Sequence, residues 1–234
     1  MKFKVIGSGS KMGNCYEIKG NNGSLLLDCG CNYKDIIKGL EYYVYDIAGV
    51  LITHRHSDHT KSIKHFIDYG IPVFGNYDVA DQWRGVTKLD ALHTKQIGDF
   101  NVVPFFVPHD GIPNYGYLIS HHAIGKLLYI TDFQYCRYIF SGQKIDHMVI
   151  ECDYVTELLD YTRSNFEHTV QGHMSLETIK RFIKINATEN LKTVTLVHLS
   201  QITADPQLIL DEVKKVVPEN VKVRIAEAGL EFEL

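Results

Sequence analysis

The sequence predicts an α/β protein made of two packed sheets whose outer faces are covered by helices. Two observations lead there. Short apolar segments bounded by Gly and Asn turns recur through both halves of the chain, and helix-compatible segments are interleaved with them. No repeat, low-complexity tract or Pro/Ser-rich linker interrupts residues 1–234, so a single domain is expected.

The elements follow in order. "KFKVIGS", "CYEIK" and "SLLLDCG" read as strands, and "YKDIIKGLEYY" carries a helical pattern. The apolar strand "GVLIT" comes next, then a short helix "SIKHFIDYG" closed by Gly70 and a strand "IPVFG". The middle of the chain supplies strands "FNVVPFFV", "YGYLIS", "KLLYIT" and "HMVIECD". In "SLETIKRFIKIN", Leu176, Ile179, Phe182 and Ile183 share one helical face. The strand "KTVTLVHL", the helix "PQLILDEVKKVV" and the strand "VKVRIAEA" complete the pattern.

Composition narrows the function classes. Hydrophobic residues at 45% and charged residues at 22% are ordinary for a globular chain, and a net charge of −4 leaves no strongly basic footprint. "MKFKVIGSGS" lacks the apolar core of a signal peptide, and no apolar run reaches the ~18 residues of a membrane span. Cys15, Cys29, Cys31, Cys136 and Cys152 form no CxxC pair, and the first close pair is too near to bridge comfortably. Reduced thiols and a cytoplasmic location are expected.

The chemistry concentrates in "LITHRHSDHT", where an apolar strand delivers His54, His56, Asp58 and His59. A period of two puts His54 and His56 on one side of an extended segment, where they can reach one ion. Asp58 and His59, beyond the turn, can reach a second. Imidazole and carboxylate suit zinc, iron or manganese, and the lack of thiolate speaks against a purely structural zinc.

"THRHSDHT" resembles the THxHxDH signature of the metallo-β-lactamase superfamily. The resemblance covers most of the chain: "SGSKMGNCYEI…LLLDCG", "VPFFVPHD", "LLYITD", "MVIECD", "GHMS" and "LVHLS" stand in the order of the YycJ-type, RNase Z-like branch. Phage anti-Pycsar phosphodiesterases, which degrade cyclic nucleotides, share much of the pattern. The resemblance implies an αββα sandwich of two mixed sheets and a binuclear site. His54, His56 and His109 would hold one divalent ion; Asp58, His59 and His198 would hold the other; Asp132 would bridge them. Zinc is the first expectation and manganese the alternative. Asp28 matches a position that orients the histidine loop. Asp58, His173 and Glu151 are the candidate catalytic residues, with His173 supplying a proton to the leaving group under the hold of Glu151. Bland roles stand beside these: a loop histidine at His109, a strand-end histidine at His198, Asp132 capping "FQYCRYIF", and His173 capping the helix that begins at Ser175. His65, His93, His121, His122, His147 and His168 belong to no motif and are expected to be surface or structural residues.

Among superfamily activities, Asp132 argues against the best-known lactamases and His56 against flavodiiron oxidoreductases. Glyoxalase II adds a C-terminal helical region that the chain lacks. The expectation is therefore a phosphodiesterase acting on a small cyclic nucleotide or on a nucleic-acid end. The alternatives are a thioester or other small-molecule metallohydrolase, or a metal-binding protein without catalysis. By resemblance a homodimer is expected, with no membrane partner. The glycine-rich loop Gly7–Asn14 could offer backbone N–H groups to a phosphate, but its spacing departs from the family by one added residue.

Overall fold

A computed structural model describes residues 1–20, 23–164 and 166–234. The expected turn around Asn21 and Asn22 lies outside the described residues. The first sheet is built from β1 (Lys2–Gly7), β2 (Cys15–Gly20), β3 (Gly23–Leu27), β4 (Ile47–Leu51), β5 (Val73–Gly75) and β6 (Val86–Lys88). The second holds β7 (Lys95–Ile97), β8 (Phe100–His109), β9 (Ile112–His121), β10 (Gly125–Ile130), β11 (His147–Glu151), β12 (Thr193–Val197) and β13 (Lys222–Ile225). The last strand, β14 (Glu231–Glu233), returns to pair with β1.

Each sheet is mixed in the same way. Strand order is β14-β1-β2-β3-β4-β5-β6 in one and β13-β12-β11-β10-β9-β8-β7 in the other. The parallel ladders β3–β4 and β10–β11 meet antiparallel ladders within the same sheet. Both faces of the central strands are covered, which is why their sequences read as continuous apolar runs. In β3, Leu25 and Leu27 face the other sheet while Leu26 packs outward with Ile36 and Phe66. In β11, Val149 points between the sheets, and Met148 and Ile150 pack outward.

Helices close the outer faces. α1 (Tyr33–Gly39), α2 (Ser57–Thr60), α3 (Ile63–Asp68) and α4 (Tyr77–Gln82) follow strands of the first sheet. α5 (Phe166–Gly172), α6 (Leu176–Asn186) and α7 (Pro206–Lys214) follow strands of the second. The predicted apolar face of α6 packs where expected, with Ile209 and Val213 of α7 in the same cluster. No helix among the described residues is long and apolar enough to cross a membrane.

Several expectations are corrected. The first helix stops at Gly39, because Glu41 (φ 53°) and Tyr42 (φ 69°) turn left-handed and Glu41 pairs with Lys4 at 2.9 Å. The helix beginning at Pro206 ends at Lys214 rather than running through the valines beyond it. "FQYCRYIF" forms no regular element, so Asp132 caps nothing there. β6, β7, β14, α2, α4 and α5 were not anticipated; they are short, and α4 owes its start to Asn76, whose side chain accepts from the N–H groups of Asp78 and Val79.

Candidate metal centre

Ends of strands from both sheets converge on one cleft. Asp28 follows β3, the histidine loop follows β4, His109 ends β8, Asp132 follows β10, Glu151 ends β11 and His198 follows β12. Three of these sit in the left-handed region: Asp28 (φ 58°), Asp132 (φ 51°) and His198 (φ 55°). Asp and His tolerate that conformation better than branched residues do, and there it coincides with the point where each strand stops. The loop Gly7–Asn14 packs tightly beneath: a Cβ on Gly13 would lie 2.1 Å from the Gly30 carbonyl oxygen, and one on Gly30 1.6 Å from the Asp58 carbonyl oxygen, so only glycines let these segments meet.

All seven sequence-predicted ligand residues are brought together. Donor atoms of His54, His56 and His109 form one group and those of Asp58, His59 and His198 another, each within 4.8 Å. Asp132 groups with His54 and His59 and also with His198, so its carboxylate stands between the two sets. Its Oδ2 is 2.9 Å from His59 Nε2 and its Oδ1 is 3.4 Å from His198 Nε2.

Hydrogen bonds behind the histidines fix which nitrogen faces the cleft. His109 Nδ1 donates to the Gly172 carbonyl at 2.9 Å, leaving a lone pair on Nε2. The Thr53 hydroxyl donates to Asp28, so it can only accept from His54 Nδ1 at 3.0 Å, and His54 Nε2 also carries a lone pair. His56 Nδ1 lies 3.0 Å from His54 Nε2 and 3.2 Å from His109 Nε2. One N–H cannot serve both. Three nitrogens this close match the edge of a tetrahedron with ~2.0–2.1 Å metal–nitrogen bonds, roughly 3.3 Å. Burial also holds His54, His56 and His109 below the usual histidine range, in the neutral form that a metal requires.

The second set differs in charge. Burial opposes protonation of His59, but Asp132 and Asp28 outweigh it and push the imidazole up to about 10. His198 is likewise driven well above its usual range, against burial, chiefly by Asp132. The carboxylates thus draw positive charge into a buried cleft, as a cation site does. The donor set fits divalent metal.

Beside the cluster, His173 Nδ1 lies 2.6 Å from Glu151 Oε1, and Glu151 Oε2 accepts from the Phe133 N–H at 3.0 Å. Against burial, Glu151 pushes His173 up to about 9. His173 does not cap the following helix: the Ser175 hydroxyl does, accepting from Thr178 N–H at 3.2 Å. Glu151 Oε1 is also 3.2 Å from His198 Nδ1, a link between the proton-bearing histidine and the second ligand set. His173, with Ser8, Ser10, Lys11, Asp153 and His168, lines a cavity of about 300 Å³.

Sequence reasoning missed several supports. Asn14 is fully buried, with its Nδ2 3.0 Å from His59 Nε2 and its Oδ1 accepting from Gly9 N–H. In the Gly7–Asn14 loop, the Gly9, Gly13 and Asn14 N–H groups are bonded inside the protein, so those three are not free for a phosphate. His168, expected at the surface or in a structural role, pairs with Asp110 at 2.5 Å on the rim of the cavity.

Residues 1–69 match the family model described as "Anti-Pycsar protein Apyc1". The exodeoxyribonuclease YycJ of Bacillus anthracis is 27% identical, with 94% of this chain and 90% of that protein aligned. The metallo-β-lactamase fold protein YhfI of Bacillus subtilis superposes with a TM-score of 0.79 at 20% identity, over 100% of this chain and 99% of that one. Human tRNase Z, short form, gives 0.69 at 16% identity, over 100% and 99%. The fold is the metallo-β-lactamase fold.

Proposed function

We propose that this metallo-β-lactamase-fold chain is a binuclear metal-dependent phosphodiesterase that cleaves nucleotide phosphodiesters. The observation that carries the reading is the buried contact of 2.6 Å between His173 and Glu151, set against the cluster of seven metal-type residues. His54, His56 and His109 would hold one ion, Asp58, His59 and His198 the other, and Asp132 both. Zinc is the first choice of metal and manganese the second. Bound divalent ions would withdraw charge from the phosphoryl oxygens and make water a competent nucleophile near neutral pH.

The chain's own residues supply the rest. Glu151 holds His173 Nδ1–H, which turns the other ring nitrogen towards the cavity that His173 lines and keeps the imidazolium stable. From there His173 gives its proton to the departing alkoxide. Asp28 orients His59, and Gly172 orients His109, so that the ligand atoms keep their directions. Residues 1–234 would act as one domain, in the cytoplasm with free thiols, and as a homodimer.

The exodeoxyribonuclease relative, aligned over 94% of the chain, favours a nucleic-acid end as the substrate. The family model over residues 1–69 favours a small cyclic nucleotide. Metal-loaded protein should be assayed on cyclic mononucleotides, single- and double-stranded DNA, RNA, bis-p-nitrophenyl phosphate, lactoylglutathione and nitrocefin. Turnover confined to lactoylglutathione or nitrocefin, or absent throughout, would overturn the reading. On DNA the KM should rise steeply with salt, through release of counterions; on a cyclic mononucleotide it should change little.

A further inference from the structure

A second recess, of about 380 Å³, opens beside the tip of the β8–β9 hairpin. Tyr77, Phe106, Pro108, Gly111, Tyr135 and Arg137 line it. Its walls are fastened to the metal cluster. Pro108 directly precedes His109. Tyr135 and Arg137 follow Asp132, and their loop is pinned where Gln134 N–H donates to the Pro108 carbonyl at 2.9 Å. Tyr77 opens α4, whose cap Asn76 donates to the Thr53 carbonyl at 3.0 Å and to the Pro113 carbonyl at 2.9 Å. Two ligand-bearing segments, and a helix tied to the start of the histidine loop, therefore each extend a side chain into this recess. The hairpin tip adjoins both cavities, since Asp110 pairs with His168 on the rim of the first while Gly111 lines the second.

The lining combines two chemistries. Tyr77 is 49% and Tyr135 54% exposed, more than a packing role requires, and the Phe106 ring stands 6.4 Å from that of Tyr77. The Arg137 guanidinium rests 5.1 Å over the Tyr138 ring and forms no ion pair with a carboxylate among the described residues. An inorganic anion would have no use for the rings, and an apolar ligand none for the cation. A nucleotide uses both: a base stacks on aromatic faces while its phosphate meets the guanidinium.

We propose that this recess binds the base and phosphate of the nucleotide adjoining the scissile linkage. The inference rests on the phosphodiesterase reading above and deepens it: the substrate spans at least two nucleotides, as a single-stranded nucleic-acid end does and a cyclic mononucleotide does not.

The test is binding of a fluorescent, phosphorothioate-linked thymidine pentanucleotide to the metal-loaded protein, compared with thymidine monophosphate. Tyr135→Ala and Arg137→Gln alter exposed side chains and should fold. Tyr135→Ala should weaken pentanucleotide binding roughly 5- to 150-fold, as loss of one stacked base does, and weaken mononucleotide binding several-fold less. Arg137→Gln should weaken the pentanucleotide and flatten the salt dependence of its binding by about one unit of slope. Undetectable binding of the pentanucleotide by the unmodified protein, unchanged affinity in both variants, or equal losses for the two ligands would each overturn the proposal. Hydrolysis of the ordinary phosphodiester pentanucleotide and of bis-p-nitrophenyl phosphate is measured in parallel. Tyr135-dependent binding without any hydrolysis would keep the recess and reject the phosphodiesterase.

Discussion

The Asp28 carboxylate reaches His59 Nδ1 at 2.9 Å with both side chains fully buried. The same carboxylate accepts from the Tyr129 hydroxyl at 2.6 Å and from the Thr53 N–H at 2.8 Å. It is a hub that ties β3, the histidine loop and β10 together. Asp28→Asn keeps the volume but places an amide N–H where acceptors are needed. Metal affinity should fall about 10- to 100-fold, the usual effect of losing such a support. Titration of the metal-free variant, with circular dichroism as a check on folding, measures it. Unchanged affinity would remove Asp28 from the site.

His173 makes a different demand. If it protonates the leaving alkoxide, its value depends on how badly that group needs a proton. His173→Ala should slow a natural phosphodiester by roughly 10²–10⁴-fold, and a nitrophenyl phosphodiester far less, because nitrophenolate leaves unaided. Glu151→Gln should show a weaker form of the same pattern. Metal content should be retained in His173→Ala. Equal losses on both substrates would instead assign His173 to phosphate binding.

What could be read from the sequence follows from distance along the chain. His54 to His59 are neighbours, so their spacing displays the proposed ligand geometry directly. His109, Asp132 and His198 became readable only through the ordered motifs, each standing at the end of an apolar strand. Tyr129 and Asp28 lie 101 residues apart, and nothing local in "KLLYIT" marks that tyrosine as a donor to the histidine loop. Asn14 escaped for the same reason: its partners His59 and Asp58 meet it only after strands β2 to β4 have paired. The strands of the two sheet centres were legible because both faces are apolar. The edge strands β6, β7 and β14, three residues each, carry too little pattern to stand out.

A pH dependence can be placed outside the site. His147 is fully buried in β11, with Nδ1 2.8 Å from the Thr193 hydroxyl. Burial first, and then Lys192, push its imidazole down to about 4. The unfolded chain protonates it near ~6.5, so between that pH and about 4 the unfolded state binds the extra proton and stability falls as pH drops. Above the unfolded value the contribution is fully present. His147→Gln removes the titration. Urea unfolding at pH 7 and at pH 4.5 should therefore show a drop about 2–3 kcal/mol smaller in the variant than in the unmodified chain. Identical drops would mean that His147 protonates freely in the folded protein.

Asp132 is the residue on which the proposed two-ion arrangement turns. It is almost wholly buried, its backbone is left-handed, and its Oδ2 accepts from the Thr131 hydroxyl at 2.9 Å while lying 2.9 Å from His59 Nε2. Its other oxygen is 3.4 Å from His198 Nε2, so both oxygens meet the second set, and the carboxylate also groups with His54 of the first. Asp132→Asn preserves shape and the Thr131 contact but removes the charge and replaces one oxygen with an N–H group that cannot bind a cation. Metal analysis after chelator-free purification should approach two equivalents in the unmodified protein and fall towards one in the variant, because the three-histidine set does not depend on this carboxylate alone. Turnover of every phosphodiester should fall together, nitrophenyl substrates included, in contrast to the selective loss expected of His173→Ala. That contrast separates a ligand from a proton donor. A variant holding two equivalents and turning over at the unmodified rate would sink the binuclear assignment.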